Sequence, residues 1–96
     1  MMLFVRDSCP KCAELAARLQ AAGVELDAVP GLTVCDMRTP DGLAEADMHD
    51  IWAAPTLLEW QDERNWCCTS DVDEIVGILT TEAQRARRTE GKGDGD

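Results

Sequence analysis

The hydrophobic pattern changes period along the chain, and the changes mark its elements. Met2-Leu3-Phe4-Val5 is a run of apolar side chains without helical spacing, and it predicts a buried strand over residues 2–6. A helical period follows, placing Cys12, Leu15, Ala16 and Leu19 on one face with Ala22 close to it. Gly23 suits the left-handed position that ends such a helix, and Val24 supplies the accompanying apolar contact. Residues 24–31 carry no clear period and close on a Pro30-Gly31 turn; residues 32–36 predict a second strand. Strand, helix and strand at this spacing form a βαβ unit with parallel strands.

Thr39-Pro40 reads as an N-cap followed by proline at the first helical position. It opens a helix over residues 40–49 with Leu43, Ala44 and Met48 turned to the core and Gly42 weakening it. Residues 56–60 predict a third strand, Gln61 to Asn65 a polar hairpin turn, and residues 66–69 a fourth strand. Thr69 or Ser70 caps the last helix, which has acidic residues in its first turn and a stripe of Val72, Ile75, Val76 and Leu79. The period vanishes near Arg85. The chain therefore divides into one domain over residues 1–84 and a polar tail, expected to be disordered, over residues 85–96.

Chemistry concentrates at Cys9-Pro10-Lys11-Cys12, between the first strand and the first helix. Pro10 suits the first helical position, so Cys9 falls at the N-cap, where its sulfur can accept from the free N–H groups of Lys11 and Cys12. The helix dipole and the Lys11 charge favour the thiolate and lower the Cys9 pKa. Cys12 lies one turn on, within disulfide reach. The pair reads as a nucleophile with its resolving partner.

Charge and cysteine count narrow the class. A formal charge of −10 lacks the basic footprint of a nucleic-acid binder. No secretory leader and no membrane-spanning stretch is visible, so a cytoplasmic protein is expected, where thiols stay reduced and a Cys-x-x-Cys is catalytic or metal-binding. Five cysteines, an odd number, do not suit a purely structural disulfide framework. The competing reading is a zinc or iron–sulfur module using Cys9, Cys12 and one of Cys35, Cys67 or Cys68. Adjacent Cys67 and Cys68 lack the spacing of a ligand pair, and His49 is the only histidine. His49 is expected at a helix end. Trp52, Trp60 and Trp66 are expected to cover the small core, and Trp52 also stands where a substrate groove would run.

The order β-α-β-α-β-β-α, with Cys-Pro-x-Cys after strand one and Ala54-Pro55 before strand three, resembles a glutaredoxin-like member of the thioredoxin superfamily over roughly residues 2–84. The resemblance implies an α/β fold with a four-stranded mixed sheet in the order 2-1-3-4 and three helices. It implies that Pro55 is cis and faces the cysteine pair, that Ala54 hydrogen-bonds an extended substrate, and that Arg6 holds a carboxylate. The family's glycine pair after strand four is replaced by Cys67-Cys68-Thr69-Ser70-Asp71, which leaves Asp71 as the remnant of the acidic grip on glutathione. Lys11 stands where a tyrosine is common.

The expected activity is that of a monomeric dithiol–disulfide oxidoreductase without a tightly bound cofactor. It would act on disulfide-bearing proteins or small disulfides and be reset by glutathione or by a thioredoxin-reductase-type flavoprotein. The same topology brings Cys35, Cys67 and Cys68 toward the Cys9 edge of the sheet, with at most one of Cys67 and Cys68 facing Cys9. Otherwise these three are small buried hydrophobes.

Overall fold

The computed structural model of the protein describes residues 1–95, with side chains described through residue 86. Strands β1 (Met2–Val5), β2 (Thr33–Asp36), β3 (Thr56–Trp60) and β4 (Trp66–Thr69) alternate with helices α1 (Pro10–Ala21), α2 (Pro40–Met48) and α3 (Val72–Gly95). A single turn of 3-10 helix, Leu26–Ala28, fills part of the stretch that has no clear period. The sheet order is β2-β1-β3-β4. β1 pairs parallel to β2, with Phe4 opposite Cys35, and antiparallel to β3, with Leu3 opposite Leu57. The α/β architecture, the strand order and the three helices are those expected from the sequence. Among the described residues no helix is long and apolar enough to cross a membrane.

Alternation along the strands makes two cores. Leu3 and Leu57 point to the face covered by α1 and α3, where Leu15, Leu19, Val72, Ile75, Leu79 and Ala83 close the larger cluster. Phe4, Cys35 and Leu58 point to the other face and meet Met37, Ala46 and Ile51 beneath α2. Both helices in front of their strand partners end in the same way. Gly23 (φ 73°) follows α1, with the Val24 N–H on the Leu19 carbonyl at 2.9 Å and the Gly23 N–H on Gln20 at 3.0 Å. At the end of α2 the left-handed position is taken by Asp50 (φ 57°), with the Ile51 N–H on the Ala46 carbonyl at 2.8 Å. In each case the residue after the turn is buried against the helix it leaves.

Four local expectations are corrected. In α2 the buried residues are Gly42 and Ala46, whereas Leu43 and Met48 are 51% and 72% exposed and Ala44 is exposed too. The cause is steric: a Cβ on Gly42 would lie 1.9 Å from the Asp36 carbonyl oxygen, so the helix approaches the end of β2 through its smallest residues. On α1, Ala16 and Ala22 are exposed and only Leu15 and Leu19 are fully buried. The cap of α3 is Asp71 rather than Thr69 or Ser70: its Oδ1 accepts from the Asp73 N–H at 2.8 Å and the Glu74 N–H at 3.4 Å. Thr69 instead donates its hydroxyl to Glu74. Trp60 and Trp66, 45% and 42% exposed, pack edge-to-face with each other and with His49 at the end of the sheet rather than roofing a core. The apolar stripe of α3 ends at Ala83 although the helix continues; the side chains of most of the expected tail lie outside the described residues.

Gly42→Ala would gain about 1 kcal/mol of helix propensity but drive a methyl into a backbone oxygen that has no rotamer to retreat to. We expect a net loss of about 2 kcal/mol, read as a lower urea midpoint. Asp71→Ala removes the cap of α3 and should cost about 1 kcal/mol in the same measurement.

Candidate functional site

The site is built where β1, α1 and the loop before β3 meet. Ser8 takes the left-handed region (φ 56°), unusual for a residue with a side chain, and turns the chain out of β1. Cys9 is then extended (φ −112°, ψ 111°) at the N-cap of α1, with Pro10 as the first helical residue. The N–H groups of the first helical turn have no carbonyl partner within the helix. Here a sulfur serves: Cys9 Sγ accepts from the Cys12 N–H at 3.3 Å.

The two thiols are unequal for identifiable reasons. The Cys9 pKa is lowered, first by the hydrogen bond from the Cys12 thiol; burial opposes this as the next largest influence, and the N–H groups of Cys12 and Lys11 and the Arg6 charge add to the lowering. Cys12 is raised, first by burial and then by its bond to Cys9. Of the two, Cys9 is therefore the thiol that ionises first. Lys11 acts on Cys9 through its backbone N–H, and the cationic side chain that contributes is that of Arg6. All five cysteines are free thiols.

The third wall is the loop Ala53–Ala54–Pro55, with a cis bond between Ala54 and Pro55. Cys9 Sγ lies 3.2 Å from the Ala54 carbonyl oxygen, to which the protonated thiol donates. Buried Thr56 holds this loop, donating its hydroxyl to the Ala53 carbonyl at 2.7 Å and meeting the Ser70 hydroxyl at 2.9 Å. Neither Thr56 nor Ser70 stood out in the sequence. The same is true of Arg38, whose guanidinium binds Asp7 and Asp36 at 3.0 Å each and so ties the turn before Cys9 to the end of β2. These ties join segments remote in sequence, and no local spacing signals them.

Around Cys9 an open groove of about 480 Å³ is lined by Arg6, Asp7, Ser8, Cys9, Pro10, Cys12 and Ala13. A smaller hollow of about 270 Å³ brings Lys11 and Glu14 beside Ser70 and Asp71. Arg6 lines the Cys9 groove, the Ala54 carbonyl touches Cys9 sulfur with Pro55 next in the chain, and Lys11, between the two cysteines, shares the second hollow with Asp71, whose carboxylate is engaged in capping α3.

The remaining cysteines do not join it. Cys35 is buried beneath α2, and burial, helped by Glu45, pushes its thiol up. Cys67 and Cys68 lie opposite Glu59 and Leu58, in mid-strand; Thr69 ends β4 toward the site and Ser70 follows it. The expectation that they reach the Cys9 edge is therefore corrected by the register of a strand only four residues long. Nor are they small buried hydrophobes: both are exposed, with Cys67 Sγ accepting from the Gln61 side chain at 2.8 Å and the Cys68 thiol raised by partial desolvation. Among the described residues no group of three or more His, Cys, Asp or Glu side chains is placed to hold a metal ion.

No family model, curated protein or solved structure matches the chain.

Because the charged form of Cys9 is favoured, its thiolate fraction rises at lower pH than that of an ordinary thiol. The rate of iodoacetamide alkylation at Cys9, located by mass spectrometry, should therefore reach half its plateau below about pH 8.5, the value of an unperturbed thiol. In Cys12→Ser the strongest single influence, the Cys12 thiol, is replaced by a hydroxyl, and the half-point should move.

Proposed function

We propose that the protein is a dithiol–disulfide oxidoreductase of the glutaredoxin-like type, with Cys9 as nucleophile and Cys12 as resolving thiol. One observation carries the reading: Cys9 sulfur caps α1 with its pKa lowered, while the pKa of Cys12, one turn on, is raised. A structural cysteine pair has no need of this asymmetry, whereas thiol–disulfide exchange requires it. The sheet order, the parallel β1–β2 pair and the cis Ala54–Pro55 bond beside the carbonyl that Cys9 touches support the resemblance to glutaredoxin-like proteins seen in the sequence.

In the reaction, the Cys9 thiolate attacks one sulfur of a substrate disulfide. A Cys9–substrate disulfide forms, the substrate S–S bond breaks, and its other sulfur leaves as a thiolate and takes up a proton. Ionisation of Cys9 also breaks the thiol's bond to the Ala54 carbonyl, which becomes available to accept from the backbone of a substrate lying along the groove. Cys12 then loses its proton and attacks Cys9 sulfur. The second substrate thiol is released, leaving a Cys9–Cys12 disulfide. Two electrons pass from the protein to the substrate, and a cellular thiol such as glutathione, or a flavoprotein reductase, returns them.

Lowering the pKa also limits the thiolate, because nucleophilicity falls with basicity. The best attacking thiol has a pKa near the ambient pH. Arg6 and the two N–H groups thus serve to make the thiolate available and to improve it as a leaving group when Cys12 attacks.

Cys9→Ser should abolish reduction of a protein disulfide such as that of insulin. Cys12→Ser should form a mixed disulfide that persists on non-reducing gels. Full, equal activity in both variants would overturn the assignment, and stoichiometric zinc or iron lost together with Cys9 would replace it with a metal site.

A further inference from the structure

The tight approach of α2 at Gly42 rotates its most hydrophobic stripe away from the sheet. Pro40, Leu43, Ala44 and Asp47 occupy positions i, i+3, i+4 and i+7 of one helical face. The chain returning from α2 toward β3 sets Trp52 against that face, and together they enclose a groove of about 480 Å³. Trp52 is 66% exposed and Leu43 51%, so the walls face solvent. The indole is nonetheless held: its N–H donates to Asp50 Oδ1 at 2.7 Å. Asp50 is the left-handed residue ending α2, where glycine is the residue with least strain, and its carboxylate has this second task.

Two features identify what the groove fits. It stands near the Cys9 site along the chain: Trp52 precedes by two residues Ala54, whose carbonyl touches Cys9 sulfur. Two extended residues span about 7 Å, so a chain lying along Ala54 carries its side chain two positions from the reacting cysteine to the groove. The groove's polar components are acidic, with Asp47 in the wall and Asp50 behind the indole, on a chain of net charge −10. A second copy of this chain would meet like charge there, and anionic glutathione offers nothing apolar of that reach.

We propose that the Pro40–Leu43–Trp52 groove is a substrate subsite for polypeptide disulfides, taking an apolar side chain near the reacting cysteine, followed by a basic residue. The proposal takes its chemistry from the dithiol reading above and adds the substrate class: basic, apolar-flanked protein disulfides rather than glutathione mixed disulfides.

The test uses the full chain and two peptides. One has leucine two residues to either side of its central residue, each leucine followed outward by lysine; the other has serine and glutamate in those places. With serine as the central residue the peptides cannot react, and binding is followed by NMR at the backbone N–H groups of Leu43 and Ala44. With cysteine there, as its mixed disulfide with 2-mercaptoethanol, kcat/KM is divided by that for hydroxyethyl disulfide. The leucine–lysine peptide should bind about tenfold more tightly and show a similarly higher rate ratio, the size expected for burying one leucine.

Trp52→Ala should remove both preferences. Asp50→Gly, which relieves the left-handed residue and so preserves the fold while releasing the indole, should reduce them. Equal binding of the two peptides, or a preference unchanged in both variants, overturns the subsite and leaves the dithiol reading intact. Selective binding without reduction of either disulfide supports the groove and overturns the dithiol reading. A concentration-dependent dimer that Trp52→Ala dissociates would show a second copy in the groove and overturn the proposal.

Discussion

The N-terminus of a helix leaves N–H groups that the helix itself cannot satisfy, and in this protein a cysteine sulfur meets that need for α1. The interaction ties together structure and chemistry. Because Cys9 is the cap, its sulfur lies on the helix axis at the end of β1, where the dipole, two N–H groups and Arg6 all favour negative charge. Because Pro10 follows, the cap has little freedom to shift along the chain. Cys12 then arrives beside Cys9 by helical geometry alone, and its burial raises its pKa. A single capping arrangement thus sets the positions and the unequal acidity of both thiols.

What surrounds that cap is held by contacts between distant segments. Thr56 and Ser70 join the loop before β3 to the start of α3, so that the Ala54 carbonyl stands against Cys9. Arg38 bridges Asp7 and Asp36, and Arg18 on α1 pairs with Asp73 on α3. The ion pairs are exposed and worth little singly; Arg38 ties the turn before Cys9 to the end of β2, and Arg18 ties α1 to α3. Arg38 also keeps the Asp36 carboxyl below the usual carboxylate range, so this link persists well into mild acid. The buried hydroxyl of Thr56 is a firmer tie, since an unpaired hydroxyl there would cost more than the bond contributes.

The opposite face of the sheet follows a different rule, close approach through small residues. Gly42 and Ala46 let α2 settle against β2, and the same rotation leaves Pro40, Leu43 and Ala44 exposed beside Trp52. This exposed stripe is the wall of the groove proposed above as a peptide subsite.

The sequence by itself determined the features that depend on near neighbours. The order of strands and helices, the Cys9 and Thr39 caps with their following prolines, the Gly23 stop and the polar hairpin turn from Gln61 to Asn65 are all set within about five residues. They were legible for that reason, and so was the cysteine pair. Only the tertiary structure decided which face of α2 is buried, because the clash that decides it joins Gly42 to Asp36 across a turn. It also decided that Cys67 and Cys68 stop short of the site, since a strand's register follows from its partner. The cap of α3 passed to Asp71 because Thr69 remains in β4, paired with Leu57. Hydrophobicity counts apolar surface, and it does not register the steric limit that makes glycine, rather than leucine, the residue that goes inside.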